Sequence, residues 1–225
     1  MVERVETGIP GLDELLEGGL VKGSSNLLCG NTGTGKTIFG CQYIWHGLQI
    51  GEPGVYITLE QLPEEIKTDV AEFGWNFDEY IQKKKCIIDY LPPQSLDEMK
   101  FNIFSKVSEI KAKRLVIDNI SLMSLGFEGK TKLELRHQMF NFLKDIKKEN
   151  VTALLITEIP EESKGLSRFG IEEFVADGII VLHYLEFSSG GTPRSLVIRK
   201  MRRTKHGTDV YPFEITDKGI VVKKI

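Results

Sequence analysis

Gly30-Asn-Thr-Gly-Thr-Gly-Lys-Thr37 is the stretch that organises this sequence. It matches the phosphate-binding pattern G-x-x-x-x-G-K-[ST] at every fixed position. Chance alone would produce such a match in about one chain in a hundred of this length, so context has to decide. Here the context fits. A short apolar run, Asn26-Leu-Leu-Cys-Gly30, precedes it as a strand, and Ile38-Phe-Gly-Cys-Gln-Tyr-Ile44 follows as the start of a helix. Glycines at 30, 33 and 35 let the backbone curl so that the amides of Asn31, Thr32, Gly33, Thr34 and Gly35 turn inward toward a phosphate. The helix N-terminus at Lys36, Thr37 and Ile38 adds its partial positive charge. Lys36 supplies a cation for β- and γ-phosphates, and the Thr37 hydroxyl is placed to ligate Mg²⁺.

Working outward, short β-rich runs alternate with amphipathic stretches, the signature of parallel βαβ units. Strands are expected at Val55–Leu59, Cys86–Tyr90, Arg114–Asp118 and Thr152–Thr157, mostly apolar throughout, as strands covered on both faces should be. Helices are expected at 36–50, 63–73, 96–112 and 132–148. In the last, Leu135, Met139, Phe142 and Ile146 recur on one face and read as core. After Asp177-Gly178 the texture becomes antiparallel: Ile179–Tyr184 and Ser195–Arg199 joined through a flexible tip at Ser188-Ser-Gly-Gly191, then Tyr211–Ile215 and Ile220–Lys223 turning at Asp217-Lys-Gly219. The N-terminal Thr7-Gly-Ile-Pro-Gly-Leu-Asp13, with Leu15-Leu16 and Gly18-Gly19, predicts a short helix before the first strand. The expectation is one α/β domain over residues 1–225, a mostly parallel sheet flanked by helices with a C-terminal antiparallel extension.

Composition narrows the function classes. Of the 225 residues, 41% are hydrophobic and 27% charged, a soluble-globular balance. No apolar run approaches the roughly 18 residues of a membrane span, and no leader pattern opens the chain, so a cytoplasmic protein is expected. Three widely spaced cysteines (Cys29, Cys41, Cys86) and four histidines without ligand spacing suggest neither a disulfide framework nor a zinc site. The net charge of −3 is not the basic surface of a protein whose main task is coating nucleic acid.

Two acids end apolar strands. Asp118 closes Arg114–Asp118, and in P-loop proteins an Asp so placed sits beside the P-loop Thr and holds Mg²⁺. An acid ending a strand is more often a turn or cap residue, but the upstream P-loop favours the metal role. Glu60 follows Val55–Leu59, and strand C-termini in an open parallel sheet gather around the ligand crevice. A carboxylate there can polarise a water toward the γ-phosphate. Pro63-Glu64-Glu65 also looks like a helix entry, and from the residues alone Glu60 reads more readily as its prelude.

The combination goes beyond a generic P-loop. Thr7-Gly-Ile-Pro-Gly-Leu-Asp13, the P-loop, Glu60 and Val116-Ile-Asp-Asn-Ile-Ser121 resemble the RecA/RadA superfamily. Phe169-Gly-Ile-Glu-Glu-Phe-Val-Ala-Asp-Gly178, Lys200-Met-Arg-Arg-Thr204 and Tyr211-Pro-Phe-Glu-Ile-Thr-Asp-Lys-Gly219 narrow the likeness to KaiC-like ATPases, stand-alone archaeal members in particular. That resemblance implies a RecA-like core, ATP and Mg²⁺ as ligands, a homo-oligomeric ring (a hexamer or comparable), and Glu60 with Lys36 as catalytic residues. It further implies that Lys200 and Arg202 reach the γ-phosphate in the adjacent subunit. Without it, the run Arg199–His206 reads as a solvated basic strand end or a nucleic-acid patch.

Three departures stand out. Glu60 is followed by Gln61 where the family commonly carries a second glutamate, which lowers the expected hydrolytic rate. Ile171–Asp177 lacks the Ser-Thr pair of the family's kinase half, so autophosphorylation is not expected. One copy of the domain is present rather than two, without the extra DNA-binding module of full-length RadA. Three functions remain open: a slow regulatory ATPase acting on other proteins, a non-hydrolysing nucleotide switch, and a recombination accessory binding single-stranded DNA through 199–206 and the segment Glu158–Phe169.

Overall fold

In the computed structural model, which describes residues 2–92, 94–127, 131–159, 175–184 and 194–223, a nine-stranded sheet runs through the molecule. The chain opens with β1 (Arg4–Val5), α1 (Leu12–Leu15) and β2 (Leu20–Val21), where β1 and β2 form a small antiparallel pair. The core follows as β3 (Ser25–Gly30), α2 (Lys36–Gln49), β4 (Gly54–Thr58), α3 (Pro63–Ala71), α4 (Phe77–Gln82), β5 (Cys86–Tyr90), α5 (Leu96–Glu109) and β6 (Arg114–Asp118). A 3₁₀ stretch (Ile120–Phe127), α6 (Lys132–Lys148) and β7 (Thr152–Glu158) lead to β8 (Gly178–Tyr184), β9 (Arg194–Met201), β10 (Val210–Thr216) and β11 (Gly219–Val222).

The strand order is β11-β10-β9-β8-β3-β7-β6-β4-β5. From β8 to β5 every neighbouring pair is parallel, and from β8 outward to β11 every pair is antiparallel. This is the α/β architecture expected from the sequence. The observed helices end one to three residues short of the expected limits at 50, 73 and 112, because an apolar period continues past the last hydrogen-bonded turn. The N-terminal helix spans only Leu12–Leu15, flanked by the β1–β2 pair, whose two-residue strands are too short to carry a period. The expected tip at 188–191 and most of the segment 158–169 lie outside the described residues.

Alternation along β3 shows how the layers form. Leu28 faces one core with Phe39, Tyr43 and Tyr56, under α2. Leu27 and Cys29 face the other, with Ile103, Phe142 and Ile146 of α5 and α6. Both faces of the central strands β3, β4 and β6 are buried, which is why they read as mostly apolar runs. All three cysteines are buried and none of them forms a disulfide.

One buried cation ties the first layer together. Arg114, at the start of β6, is fully buried. Its Nε donates to Glu52 Oε2 at 2.8 Å, and its Nη1 donates to the carbonyls of Glu6 and Tyr43, both at 2.8 Å. The guanidinium lies 4.6 Å from the Tyr43 ring centroid. Gly47 of α2 makes the space, since a Cβ there would stand 2.4 Å from Arg114 Cδ. The P-loop helix, the N-terminal segment and the strand carrying Asp118 are thereby held to one another.

Candidate nucleotide site

β3 occupies the middle of the sheet, so the loop leaving its C-terminus emerges where strands from both sides converge. Gly30 has no room for a side chain, because a Cβ would stand 2.8 Å from Thr34 Oγ1 and 2.9 Å from the Leu182 carbonyl. Gly33 and Gly35 adopt left-handed φ values of 77° and 96°, which close the loop and start α2 at Lys36. Thr34 Oγ1 and Lys36 Nζ both donate to the Asn31 carbonyl at 2.8 Å, so the loop is braced from within.

Two distant acids arrive by topology. β4 and β6 are parallel neighbours with Thr58 opposite Asp118. Their C-terminal ends therefore lie side by side, and Glu60 follows directly. Asp118 Oδ2 accepts from Thr37 Oγ1 at 2.7 Å and from Tyr56 OH at 2.7 Å. Asn119 Nδ2 donates to Glu60 Oε2 at 3.1 Å. The turn after β4 is pinned by Thr58 Oγ1, which accepts from Gln61 N at 3.0 Å and donates to Gln61 O at 2.9 Å.

These groups share a cavity of about 410 Å³. It is lined by Thr32, Gly33, Gly35, Lys36, Thr37 and Ile38 of the loop, by Glu60, Gln61, Asp118 and Asn119, and by Glu158, Arg194 and Ile215. Asn31 and Thr34 brace the loop from behind. Glu158 and Arg194 escape a reading of motifs, because their position depends on which strands flank β3. The one available signal is that each sits at the end of a strand: Glu158 closes β7 and Arg194 opens β9.

Electrostatics follow from crowding. Burial pushes Asp118 above the ordinary carboxylate range, while the Tyr56 and Thr37 hydroxyls pull it back. Glu60 is raised by desolvation and by the charges of Glu158 and Asp118, against the opposing pull of Lys36 and the Asn119 hydrogen bond. Burial lowers Lys36, with Glu158, Asp118 and Glu60 restoring part of its charge preference. The arrangement is a concentrated acid cluster facing one ammonium and a ring of amides. A hydroxyl and a carboxylate side by side are hard oxygen donors of the kind Mg²⁺ takes, one or two from protein with the rest from phosphate and water. The residues present thus fit the ion.

Lys200 and Arg202 do not join this cluster. β9 runs antiparallel to β8, placing Lys200 opposite Ile179 and Met201 opposite Gly178, at the end of the sheet where β3 begins. The six residues of β3 separate that end from the P-loop by about 16 Å. There Asp177 is nearly buried and accepts from Ser25 N at 3.1 Å, Lys147 Nζ at 2.9 Å and Arg202 Nη1 at 3.2 Å. Arg202 keeps half its side chain exposed at 50%.

Comparison with known proteins gives this geometry a lineage. The family model described as "ATPase: KaiC" matches residues 5–225. A UPF0273 protein of Thermotoga maritima is 38% identical over 99% of this chain and 96% of its own length. The circadian clock oscillator protein KaiC of Prochlorococcus marinus subsp. pastoris is 33% identical, covering 98% of this chain but 45% of its own length. Among solved structures, a KaiC-like protein of the hyperthermophilic archaeon Pyrococcus horikoshii OT3 superposes with a TM-score of 0.89 and 41% identity over the whole of both chains. With a family match across nearly all its residues and a site assembled on the same core, the chain belongs to the KaiC family of ATPases.

Proposed function

We propose that this chain is a Mg²⁺-dependent ATPase that hydrolyses ATP slowly at the subunit interfaces of a homo-oligomeric ring, a hexamer in the simplest case. In this reading residues 1–225 act as one domain in the cytosol, and nucleotide state regulates another protein. The observation that carries the proposal is the 2.7 Å contact between Thr37 Oγ1 and Asp118 Oδ2, with Lys36 and Glu60 lining the same cavity. Phosphoryl transfer needs little covalent chemistry from the protein. It needs the phosphates held, the developing charge neutralised and the water oriented.

Each residue then has a task. The amides of residues 31–35 and the Lys36 ammonium grip the phosphates, with Ile38 extending the contact along α2. Thr37 and Asp118 would hold the ion, which would supply neutralisation of phosphate charge when bound. Glu60, its proton affinity raised by burial and neighbouring acids, orients and deprotonates the attacking water. Gln61 contributes no second acid, in keeping with slow turnover. Lys200 and Arg202 lie too far from their own P-loop to serve it, and the half-exposed Arg202 is accessible to a neighbouring copy. Cations supplied in trans would complete the charge balance on the transferred group.

The test is phosphate release by wild type and Lys36→Ala with Mg²⁺. Release that the substitution abolishes is expected, and equal release from both refutes the proposal. Gln61 motivates a second reading, a nucleotide switch without turnover. That reading wins if wild type and Glu60→Gln both bind ATP and neither releases phosphate. Single-stranded DNA binding through 199–206 is the third, and a titration showing no binding at low salt removes it.

A further inference from the structure

Tyr56 sits in the middle of β4 with its side chain fully out of water. Its ring lies beneath α2, where Gly40 makes room: a Cβ on that glycine would stand 3.2 Å from Tyr56 Cε2 and 3.0 Å from Val116 Cγ1. Across the β4–β6 pair Tyr56 is opposite Val116, and Thr58 is opposite Asp118. Tyr56 and Asp118 are thus diagonal neighbours on one face, a gap that an aromatic side chain spans. The phenol donates to Asp118 Oδ2 at 2.7 Å, and Thr37 Oγ1 donates to the same atom at 2.7 Å. One oxygen therefore takes two hydroxyl donors, one from the sheet below and one from the P-loop helix above. Two donors from different elements leave the carboxylate little freedom to rotate.

We propose that Tyr56 is a positioning residue for the divalent cation. Its hydroxyl fixes the Asp118 carboxylate so that Asp118 and Thr37 present a set pair of oxygens, and it governs how tightly the nucleotide-bound site takes the ion. The proposal rests on the Mg²⁺-nucleotide reading above and deepens it. The phosphate grip itself has no need of the phenol, because the loop amides and Lys36 act on the nucleotide directly. Outer hydrogen bonds of this kind orient metal-binding side chains, and losing one weakens metal affinity by about tenfold or more.

Tyr56→Phe deletes the hydroxyl and keeps the ring, so packing under α2 survives. Tyr43→Phe is the matched control. It also removes a buried phenol on the same face of the sheet, one that donates to the Thr152 carbonyl at 3.0 Å and touches no carboxylate. The measurements are Mn²⁺ binding by electron paramagnetic resonance in the presence of ADP, and ADP binding by calorimetry in EDTA. For Tyr56→Phe, Mn²⁺ affinity is expected to fall about tenfold while ADP affinity in EDTA stays within about twofold of wild type. Tyr43→Phe is expected to leave both unchanged. Mn²⁺ affinity of Tyr56→Phe within about twofold of wild type overturns the proposal, as does an equal loss in Tyr43→Phe, which would mark general loosening. A wild type that binds Mn²⁺ while Tyr56→Phe binds it as well removes the role of Tyr56 alone. A wild type that takes up no Mn²⁺ with ADP removes the metal reading and this inference together.

Discussion

Replacing Arg114 by Met keeps most of the side-chain volume and deletes every donor of the buried clamp. Five effects set the magnitude. The part-buried Glu6 carbonyl loses its charged donor, worth about 1–3 kcal/mol. The Tyr43 carbonyl loses a second donor, but it lies four residues before Gly47 within α2 and keeps the helical partner, so it adds little. Glu52 is one-third exposed and returns to water, so the lost pair counts for less than a fully buried one. Against these, Arg114 Nη2 is buried without a partner, and removing it relieves a desolvation cost. The cation–π contact with Tyr43 adds about 1 kcal/mol to the loss. The net expectation is about 2–3 kcal/mol, a melting point lower by roughly 5–10 °C for a chain of this size. Urea unfolding at fixed protein concentration is the assay, with a midpoint that falls while the slope stays constant. Because α2 carries the P-loop, saturating ATP and Mg²⁺ should restore about 2–3 kcal/mol, as ligand at a hundred times its dissociation constant does. Gly47→Ala, whose Cβ would stand 2.4 Å from Arg114 Cδ, should produce a similar loss. An Arg114→Met midpoint indistinguishable from wild type would refute the clamp.

Further outcomes follow from the site. Glu60→Gln should cut phosphate release by about a hundredfold or more and leave ATP affinity within severalfold, read by single-turnover release and calorimetry. Mixing Lys36→Ala with Arg202→Ala should recover activity that neither variant has alone, since mixed assemblies contain sites with an intact P-loop beside an intact Arg202. Recovery of nothing would count against donation in trans. Asp177 is held below the ordinary carboxylate range: burial alone would raise it, but the hydrogen bonds from Lys147 and the Ser25 amide and the nearby Arg202 charge outweigh that. A depressed folded-state value means the stabilisation is fully present above the unfolded carboxylate range and fades as pH falls through the folded-state value. Asp177→Asn should therefore lose about 2 kcal/mol at pH 7, and the two proteins should converge in stability only in acid below the depressed folded-state value, followed by urea midpoints. Native mass measurement should show nucleotide-dependent assembly, and a single mass with and without ATP would contradict it.

How much of this was written in the sequence depends on the range of the interaction. The P-loop could be read directly because loop, preceding strand and following helix are contiguous, and its chemistry is carried by the backbone. Asp118 and Glu60 were legible through a general rule about strand C-termini, although the rule does not say that β4 and β6 are adjacent. The 3.1 Å contact between Asn119 and Glu60 needed that adjacency. Arg114 opens an expected strand, and nothing local indicates that it would be buried against Gly47 and Glu52. Tyr56 lies inside another expected strand, and nothing local shows that its hydroxyl would meet Asp118 across the strand pair. Helix α4 is six residues long, too short for its Phe77, Tyr80 and Ile81 to register as a period. Arg194 and Glu158 enter the cavity through the order of strands about β3, the kind of non-local pairing on which local patterns are silent.

The P-loop and the Lys200–Arg202 corner occupy opposite ends of one sheet, and that placement limits which symmetries can use both. Two copies related by a twofold axis could use both only by pairing grip with corner twice over in a single reciprocal contact, which closes at two copies. A head-to-tail contact instead brings one copy's grip to another's basic corner once per interface, with each chain offering two different surfaces. Such contacts propagate, and they end only when the rotation between successive copies divides a full circle. A slight change in that angle with nucleotide would turn a closed ring into an open helical turn.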